Sequence, residues 1–206
     1  MKSIGKQRDP EKTRDHLLKA ATHLIQSRGL ARATTREIAR EAGCAEGTLY
    51  KHFETKDDLF LAVLLESFPT FETALDLTNQ PEAGIAENLQ QIAMAAIRFF
   101  EKVLPTGVAL LADASLLARH RKRLRSKDRG PRHLYEAVAK HIASAQDLGQ
   151  MNRTLDPLAA ASVILGPCFQ WVLTKMINGN TPLKLTDEQF CQQLAATLLQ
   201  GFAPQP

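Results

Sequence analysis

Residues 34–56, TTREIAREAGCAEGTLYKHFETK, decide the fold, because their pattern predicts two short helices joined by a tight turn. The hydroxyl of Thr34 can cap the first helix while Glu37, three residues later, bonds back to the helix start, which is a capping box. Gly43 stands in the turn, where a glycine readily takes the left-handed backbone conformation that ends a helix. The stretch is therefore predicted to be a helix-turn-helix.

Each helix of this motif carries a narrow apolar stripe that would face a small core. Ile38 and Ala42 belong to the stripe of the first helix. Leu49 and Phe53 lie four residues apart in the second helix, which is predicted over about residues 45–53. The other side of the second helix is polar, long-armed and partly aromatic. A helix that enters the major groove of DNA needs such a surface.

This motif resembles the DNA-binding domain of the tetracycline-repressor (TetR) family. The matching positions are Thr35, Ile38-Ala39, Ala42-Gly43, Gly47-Thr48-Leu49-Tyr50-Lys51-His52-Phe53 and Lys56. The detailed resemblance covers about residues 11–66, and beyond them length and helical layout agree. Cys44 replaces the valine or other small apolar residue that is usual in the family, and Glu46 occupies a position that often helps to read DNA. The resemblance implies a transcriptional regulator that binds duplex DNA.

Ten positions in and beside the motif are predicted to contact DNA. Thr48 and Lys51 could reach base edges, and Glu46 could accept a hydrogen bond from a cytosine amine. Gly47 would let the backbone approach DNA closely. The positions suited to phosphates are Thr34, Thr35, Arg36, Tyr50, His52 and Lys56, and the resemblance assigns a phosphate contact to Lys56. Alternatively, Tyr50 and His52 complete the packing of the small domain.

The net charge of +4 is unevenly distributed along the 206 residues. Residues 1–56 contain 12 Lys and Arg against 7 Asp and Glu, whereas the remaining 150 residues contain 14 against 15. The positive surplus therefore accompanies the predicted DNA-binding unit, as attraction to phosphates requires. A second basic run, Arg119–Arg132, holds eight Arg and Lys and one acid. It could meet an anionic ligand, a second DNA segment or a partner, although such runs are more often solvated helix ends.

Helical periodicity continues through the rest of the chain, and no β alternation competes with it. Further helices are predicted over residues 11–28, from Thr55 to about 67, over 82–103 with an end before Pro105, and over 106–125, 131–147, 156–178 and 187–201. These make about nine helices, the number typical of the TetR family. We predict an all-α protein with an N-terminal arm and helix-turn-helix DNA-binding domain over residues 1–56. A helical ligand-binding and dimerisation domain would follow over residues 57–206.

The last two long helices are predicted to form a homodimer interface. Their apolar stripes include Leu158, Ser162, Leu165, Phe169, Phe190, Leu194 and Leu198. Two such helices from each of two subunits would make a four-helix bundle, and a two-fold dimer suits the symmetry of most operators. The alternative is that both stripes face the core of their own chain.

The C-terminal helices could also enclose a pocket for a small-molecule effector. The candidate pocket residues are Phe68, Phe71, Ile92, Ala96, Phe99, Phe100, Tyr135, Phe169 and Trp171. Ligand pockets are mostly apolar with few polar groups, so a ligand of this set would be small and apolar or aromatic. Each of these residues could instead belong to the core.

The sequence has no feature that favours an enzyme, a metal site or a cofactor site. Cys44, Cys168 and Cys191 are too unevenly spaced for a disulfide framework or a CxxC motif. No HExxH, GxSxG or glycine-rich phosphate loop is present. No apolar run approaches the roughly 18 residues of a membrane span, and the charged N-terminus lacks the apolar core of a secretory signal. We therefore expect a cytoplasmic protein that is not an enzyme and binds neither a cofactor nor a membrane.

The leading hypothesis is a homodimeric, sequence-specific DNA-binding regulator of transcription. It would act as a repressor that a small apolar or aromatic ligand releases from a duplex DNA operator. One alternative is a constitutive DNA-binding regulator without an inducer. Another is an all-helical adaptor protein that uses the motif for contact with a protein.

Overall fold

A computed structural model describes residues 9–30, 32–65, 67–78, 84–127, 131–181 and 183–200, and all the regular structure in these ranges is α-helical. The helices are α1 (Pro10–Arg28), α2 (Thr35–Glu41), α3 (Glu46–His52), α4 (Lys56–Leu65), α5 (Ser67–Thr78), α6 (Ile85–Ala112), α7 (Ala114–Lys127), α8 (Pro131–Asp147), α9 (Pro157–Asn178) and α10 (Asp187–Gln200). The predicted all-α class is therefore confirmed.

The described residues contain ten helices, one more than the nine expected. The additional helix is α5, which begins where the helix predicted from Thr55 was expected to end. Pro69 is the third residue of α5. In the first turn of a helix the missing N–H of proline has no intrahelical partner to lose, so a new helix can begin there.

The predicted helix end before Pro105 was wrong, since α6 continues through this proline to Ala112. Proline inside a helix removes one backbone hydrogen bond at a cost of about 3 kcal/mol. The neighbouring Leu104, Thr106 and Leu110 are buried, and their packing offsets that loss. The following helix begins at Ala114 rather than near residue 106. Its start is capped by Asp113, whose carboxylate accepts hydrogen bonds from the backbone N–H groups of the next helix turn.

The chain divides into two compact units. The first unit comprises the described residues within 1–66 and 105–123, and the second comprises those within 67–104 and 124–206. The prediction of a DNA-binding domain over residues 1–56 and a second domain over 57–206 stays a prediction, because a functional domain need not end where packing does.

In the first unit, α1 packs on α2, α3 and α4 around one small core. Leu17, Ile38, Leu49 and Leu59 have no exposed side-chain surface there. The predicted apolar stripes of α2 and α3 are therefore confirmed. Full burial of a leucine or isoleucine contributes roughly 1.5–3 kcal/mol, so these side chains fix the four helices relative to one another.

In the second unit, α8 packs on α9 and on α5. A polar network ties α9 to α10 and α6 at the edge of this core. The indole nitrogen of Trp171 donates to Asp187 at 2.8 Å, and the Lys175 ammonium donates to Asp187 at 2.9 Å and to Glu101 at 2.7 Å. The Trp171 ring also stacks on Phe190 with 4.2 Å between ring centroids. The start of α10 is thus held by hydrogen bonds and by aromatic packing.

By length and composition α9 is long and apolar enough to cross a bilayer, with a mean hydropathy of 1.4. This differs from the expectation that no apolar segment of the sequence approaches the length of a membrane span. The same composition suits a core helix of a globular unit. One side of α9 is buried against its own unit through residues that include Ile164, Leu165 and Cys168. Its other side exposes large apolar side chains, among them Leu158 and Phe169.

Candidate nucleic-acid interface

The interface begins at the N-terminus of α2, where the predicted capping box is present. The Thr34 hydroxyl accepts a hydrogen bond from the backbone N–H of Glu37 at 3.2 Å and donates to the Glu37 carboxylate at 2.8 Å. The Thr34 hydroxyl, its backbone N–H and the nearby Arg28 together hold the pKa of the Glu37 carboxyl below its ordinary value. The cap fixes the direction in which α2 leaves the preceding loop.

The turn between α2 and α3 has the geometry that the sequence predicted. Gly43 has a φ of +68°. The backbone N–H of Gly43 donates to the carbonyl of Arg40, and that of Cys44 donates to the carbonyl of Ala39. These two bonds satisfy carbonyls that the end of α2 would otherwise leave exposed. Cys44 packs half-buried against the core as a small apolar side chain.

The buried side of α3 orients its outer side. Leu49 is fully buried and Phe53 is 5% exposed, so rotation of the helix about its axis would remove both from the core. The opposite side carries side chains for which contacts with bases or phosphates were predicted. Tyr50 is 48% exposed, Lys51 is exposed, and Thr48 is half-buried. Glu46 and Gly47 are also exposed and His52 is half-buried, while the contacts of all of these with DNA stay predictions.

A hydrogen-bond network joins α2 and α3 on this surface. The Thr35 hydroxyl donates to a carboxylate oxygen of Glu46 at 2.6 Å. The Tyr50 hydroxyl in turn donates to the Thr35 hydroxyl at 3.3 Å. Three of the side chains predicted to contact DNA are therefore brought together and positioned by one another.

Two arginines on this surface were missed by the sequence analysis. Arg32 and Arg40 line the same concave surface as the predicted Arg36, together with Thr34 and Glu46. Arg36 and Arg40 are four residues apart on α2, which is the signal that could have found Arg40, whereas Arg32 lies in the segment before that helix. Guanidinium groups in such a position are suited to phosphate oxygens.

Lys56 lies at the start of α4, as predicted, with its ammonium 5.2 Å from the centroid of the Phe60 ring. Thr55 and Asp58 form a reciprocal cap, because the backbone N–H of each donates to the side chain of the other at 3.1 Å. Asp57 forms an ion pair with Arg119 of α7. Of the basic run Arg119–Arg132, Arg121 and Lys122 are exposed, and residues 128–130 lie outside the described part of the chain.

Most of the residues predicted to line an effector pocket are buried among one another in the second unit. Phe71, Ile92, Ala96, Phe99, Phe100 and Trp171 belong to its core. Phe169 is 40% exposed and Tyr135 is 37% exposed, while the side chain of Phe68 lies outside the described residues. Ile92 also contributes to the wall of a cavity between α6 and α8. An effector contact for any of these residues stays a prediction.

The residues predicted to form the dimer interface lie in two environments. Leu158, Ser162 and Phe169 are exposed on α9, whereas Leu165 is 1% exposed and packs in the core of its own unit. Phe190, Leu194 and Leu198 on α10 are half-buried. Among the residues that the structure describes, no three His, Cys, Asp or Glu side chains are grouped as a metal site would require.

Comparison with known proteins gives this surface its context. Residues 17–63 match the family described as bacterial regulatory proteins, tetR family. The nucleoid occlusion factor SlmA of Marinomonas sp. is 26% identical over 137 residues, which are 66% of this chain and 68% of that protein. The transcriptional repressor KstR2 of Mycolicibacterium smegmatis is 33% identical over 96 residues, 45% of each chain. The family match over residues 17–63 contains the helix-turn-helix, and the alignment with KstR2 spans less than half of that protein.

The fold also resembles that of solved regulators over nearly the whole chain. The structure of the transcriptional regulator FadR from Bacillus subtilis, in complex with stearoyl-CoA, aligns with a TM-score of 0.66 and 18% identity. The alignment covers 92% of this chain and 99% of that chain. At this identity the likeness shows the fold alone.

Proposed function

The chain belongs to the TetR family of bacterial regulatory proteins, and we propose that it binds a specific duplex DNA operator as a homodimeric, cytoplasmic repressor of transcription. In this proposal a small-molecule effector releases the repressor from its operator. The observation that carries the proposal is the orientation of α3. Its apolar side, through Leu49 and Phe53, is locked into the core of the first unit, and its polar side is exposed.

The chemistry of that exposed side is suited to reading base edges in the major groove. Lys51 can donate to guanine acceptors, and Thr48 can pair with several base edges. Arg32, Arg36 and Arg40 line a concave surface with Glu46, the first residue of α3, and can neutralise phosphates. The surface thus combines groups for base contacts with groups for phosphate contacts.

Dimerisation is supported by the exposed side of α9. Leu158, Ser162, Gly166, Phe169 and Met176 recur at intervals of three, four or seven residues, so they share one side of the helix, and all five are exposed. An exposed stripe of this kind is unfavourable in water and marks an interaction surface. A second copy of the chain could cover it with its own α9. Two-fold pairing would present two α3 helices to successive major grooves about 34 Å apart.

The effector is proposed to act through helices shared by the two units. Residues 85–104 of α6 belong to the second unit and residues 105–112 of the same helix belong to the first. A ligand that prefers one position of α6 therefore shifts the population of conformers that hold α3 for DNA. The FadR regulator, whose structure was solved with stearoyl-CoA, is an example of a protein of this fold that holds a ligand.

The proposal is tested by selection of DNA fragments from the host genome with the purified protein. One enriched, two-fold symmetric sequence is expected. Binding to that sequence should weaken steeply as salt rises, because counterions are released from the phosphates that Lys and Arg neutralise. Enrichment of no sequence, together with binding to random duplex DNA that does not depend on salt, would overturn the proposal.

A further inference from the structure

A cavity of about 400 Å³ lies within the second unit, between the first turns of α6 and the last turns of α8. Its inner wall is apolar, because Leu89, Ile92 and Ile142 are each less than 10% exposed. Its mouth is formed by exposed residues that include Ser144 and Leu148. Leu148 is 62% exposed, so an apolar side chain meets water at the entrance. The volume falls in the range of pockets for small organic molecules.

The segment that follows α8 forms another wall of the cavity, and internal hydrogen bonds hold it in place. The Gln146 amide donates to the backbone carbonyls of Asn152 and Leu155, both at 2.8 Å. The Arg153 guanidinium donates to the carbonyls of Gln146 and Asp147 at 3.0 and 3.1 Å. These bonds position Met151 in the cavity wall. The wall is therefore formed before any ligand arrives, which reduces the ordering that binding requires.

The polar groups of the cavity select against anions. Asn88, His141, Ser144 and Gln150 supply polar side chains, and Asp147 supplies a carboxylate. None of the lining residues, all of which lie in the described ranges, is a lysine or an arginine. Burial lowers the pKa of His141, an effect that the nearby Asp76 partly opposes, so at neutral pH the imidazole is uncharged. A carboxylate or phosphate would find no cation here and would meet the charge of Asp147.

We propose that this cavity binds a small, uncharged and mainly apolar molecule with one or two hydrogen-bonding groups, and that this molecule is the effector. The apolar part would lie against Leu89, Ile92 and Ile142, and His141 would exchange a hydrogen bond with the polar group. The effector role rests on the proposed function, whereas the binding site itself does not. Phe99 and Phe100, which the sequence predicted to line an effector pocket, pack against each other with ring centroids 5.5 Å apart, and their contact with an effector stays a prediction.

Two fluorescent probes with the same ring system test the ligand class on the full-length protein. N-phenyl-1-naphthylamine is uncharged, and 8-anilino-1-naphthalenesulfonate adds one sulfonate to the same rings. The uncharged probe should bind saturably at one site per chain, at least tenfold more tightly than the sulfonate. Equal or tighter binding of the sulfonate would overturn the proposed class of ligand, as would the absence of saturable binding of the uncharged probe.

Variants on two walls of the cavity test its location. Ser144→Phe at the mouth and Met151→Phe on the opposite segment should each weaken binding of the uncharged probe at least tenfold. Lys140→Phe places the same ring on an exposed position of α8, one turn before Ser144 and outside the cavity lining, and should leave binding unchanged. Helical circular dichroism establishes that each variant is folded. Unchanged binding in a folded cavity variant would overturn the site.

Operator binding without any probe separates this inference from the proposed function. Ser144→Phe should bind the selected operator as tightly as the unmodified protein, because Ser144 is in the second unit and α3 is in the first. If the unmodified protein selects no operator, the proposed function fails while the probe titrations still decide whether the cavity is a binding site. If the cavity variants bind the probe normally while operator binding is intact, the site fails alone.

Discussion

The side-chain hydroxyl of Thr35 donates a hydrogen bond of 2.6 Å to the carboxylate of Glu46, joining the first turn of α2 to the first turn of α3. Tyr50 donates to the same hydroxyl from the other side. The bond holds a negative charge on the surface that we propose faces DNA. A carboxylate there repels phosphates and, among the base edges of the major groove, matches the cytosine amine.

Replacement Glu46→Gln removes this charge but keeps an acceptor oxygen for Thr35. Affinity for random duplex DNA at low salt should rise roughly threefold to tenfold, because one repulsive charge is lost near the phosphates. The preference for cytosine at one position of the operator should weaken. Fluorescence anisotropy with random and selected duplexes across a series of salt concentrations measures both effects.

Glu41→Gln is the matched control for this charge change. Glu41 is exposed at the end of α2 and pairs with His23 at 2.6 Å, so it belongs to the first unit but lies outside the Thr35–Glu46–Tyr50 network. A smaller rise in affinity is expected for the control. If both variants gain affinity equally, the effect is one of net charge and Glu46 has no special place in the interface.

Lys51→Ala should relax the sequence preference of the protein at one or two base pairs of each half-site. Lys51 is exposed on α3, one residue beyond Tyr50, where its ammonium can reach guanine acceptors. The expected loss for the selected operator is about 1–3 kcal/mol, with a smaller loss for random DNA. Repeating the selection of DNA fragments with the variant shows at which base pairs of the operator the base preference is lost.

The control is Lys19→Ala, because Lys19 is also exposed but lies on α1. It should leave the selected sequence unchanged. An unaltered binding-site profile for Lys51→Ala would remove the assigned role of Lys51 in reading bases, even if overall affinity fell.

Gly47→Ala should raise the stability of the protein and weaken its binding to the operator. A Cβ added at Gly47 meets no atom within 4 Å, and the residue is exposed in α3. Alanine is favoured over glycine in a helix by roughly 0.5–1 kcal/mol, so the variant should unfold at a higher urea concentration. If the α3 backbone approaches DNA at this position, the added methyl group should weaken operator binding at least tenfold.

Gly107→Ala provides the comparison, since a Cβ at Gly107 in α6 also meets no atom within 4 Å. It should raise stability by a similar amount without changing operator affinity. Equal operator affinity of Gly47→Ala and the unmodified protein would show that α3 does not approach DNA through Gly47.

The helix-turn-helix could be predicted because its determinants lie close together in the sequence. Thr34 and Glu37 form a cap three residues apart, Gly43 ends α2, and Leu49 and Phe53 share one side of a single helix. Each signal depends on neighbours within about one helical turn, so propensity and periodicity suffice to find it.

The features that could not be predicted depend on contacts between distant residues. The passage of α6 through Pro105 follows from the burial of Leu104 and Thr106, which no local pattern reveals. Likewise, the cavity forms where residues near position 89 meet residues near 142 and 151. Of the residues predicted to line a pocket, Ile92 lies in the wall of this cavity and Phe99 and Phe100 lie in the core, and composition alone does not distinguish these two environments.

The network at the start of α10 should make stability depend on pH. Burial alone would raise the pKa of Asp187, but hydrogen bonds from Lys175 and Trp171 outweigh it and hold that pKa below its ordinary value. Burial likewise would lower the pKa of Lys175, and its bonds to Glu101 and Asp187 hold that pKa above its ordinary value. The stabilisation is therefore lost as pH falls through the folded pKa of Asp187 or rises through that of Lys175.

Asp187→Asn should reduce the free energy of unfolding by about 1–3 kcal/mol at neutral pH, because the ammonium of Lys175 loses a charged partner. The difference from the unmodified protein should shrink as acid protonates Asp187. Urea unfolding at several pH values and one fixed protein concentration measures it. Glu188→Gln makes the same charge change at the next, exposed residue and should lose less stability. Equal losses for both variants at neutral pH would contradict a role for the network.

Gly166→Phe should convert the proposed dimer to a monomer. A Cβ at Gly166 meets no atom within 4 Å and the residue is exposed, so a larger side chain can extend into solvent in a single chain. Gly166 lies between Ser162 and Phe169 on the exposed side of α9, where a partner helix would approach closely. Sedimentation velocity should show the mass of one chain, and operator affinity should fall at least tenfold because one α3 no longer assists the other. Lys140→Phe on α8 should remain dimeric. A Gly166→Phe protein that sediments as a dimer would place the interface elsewhere.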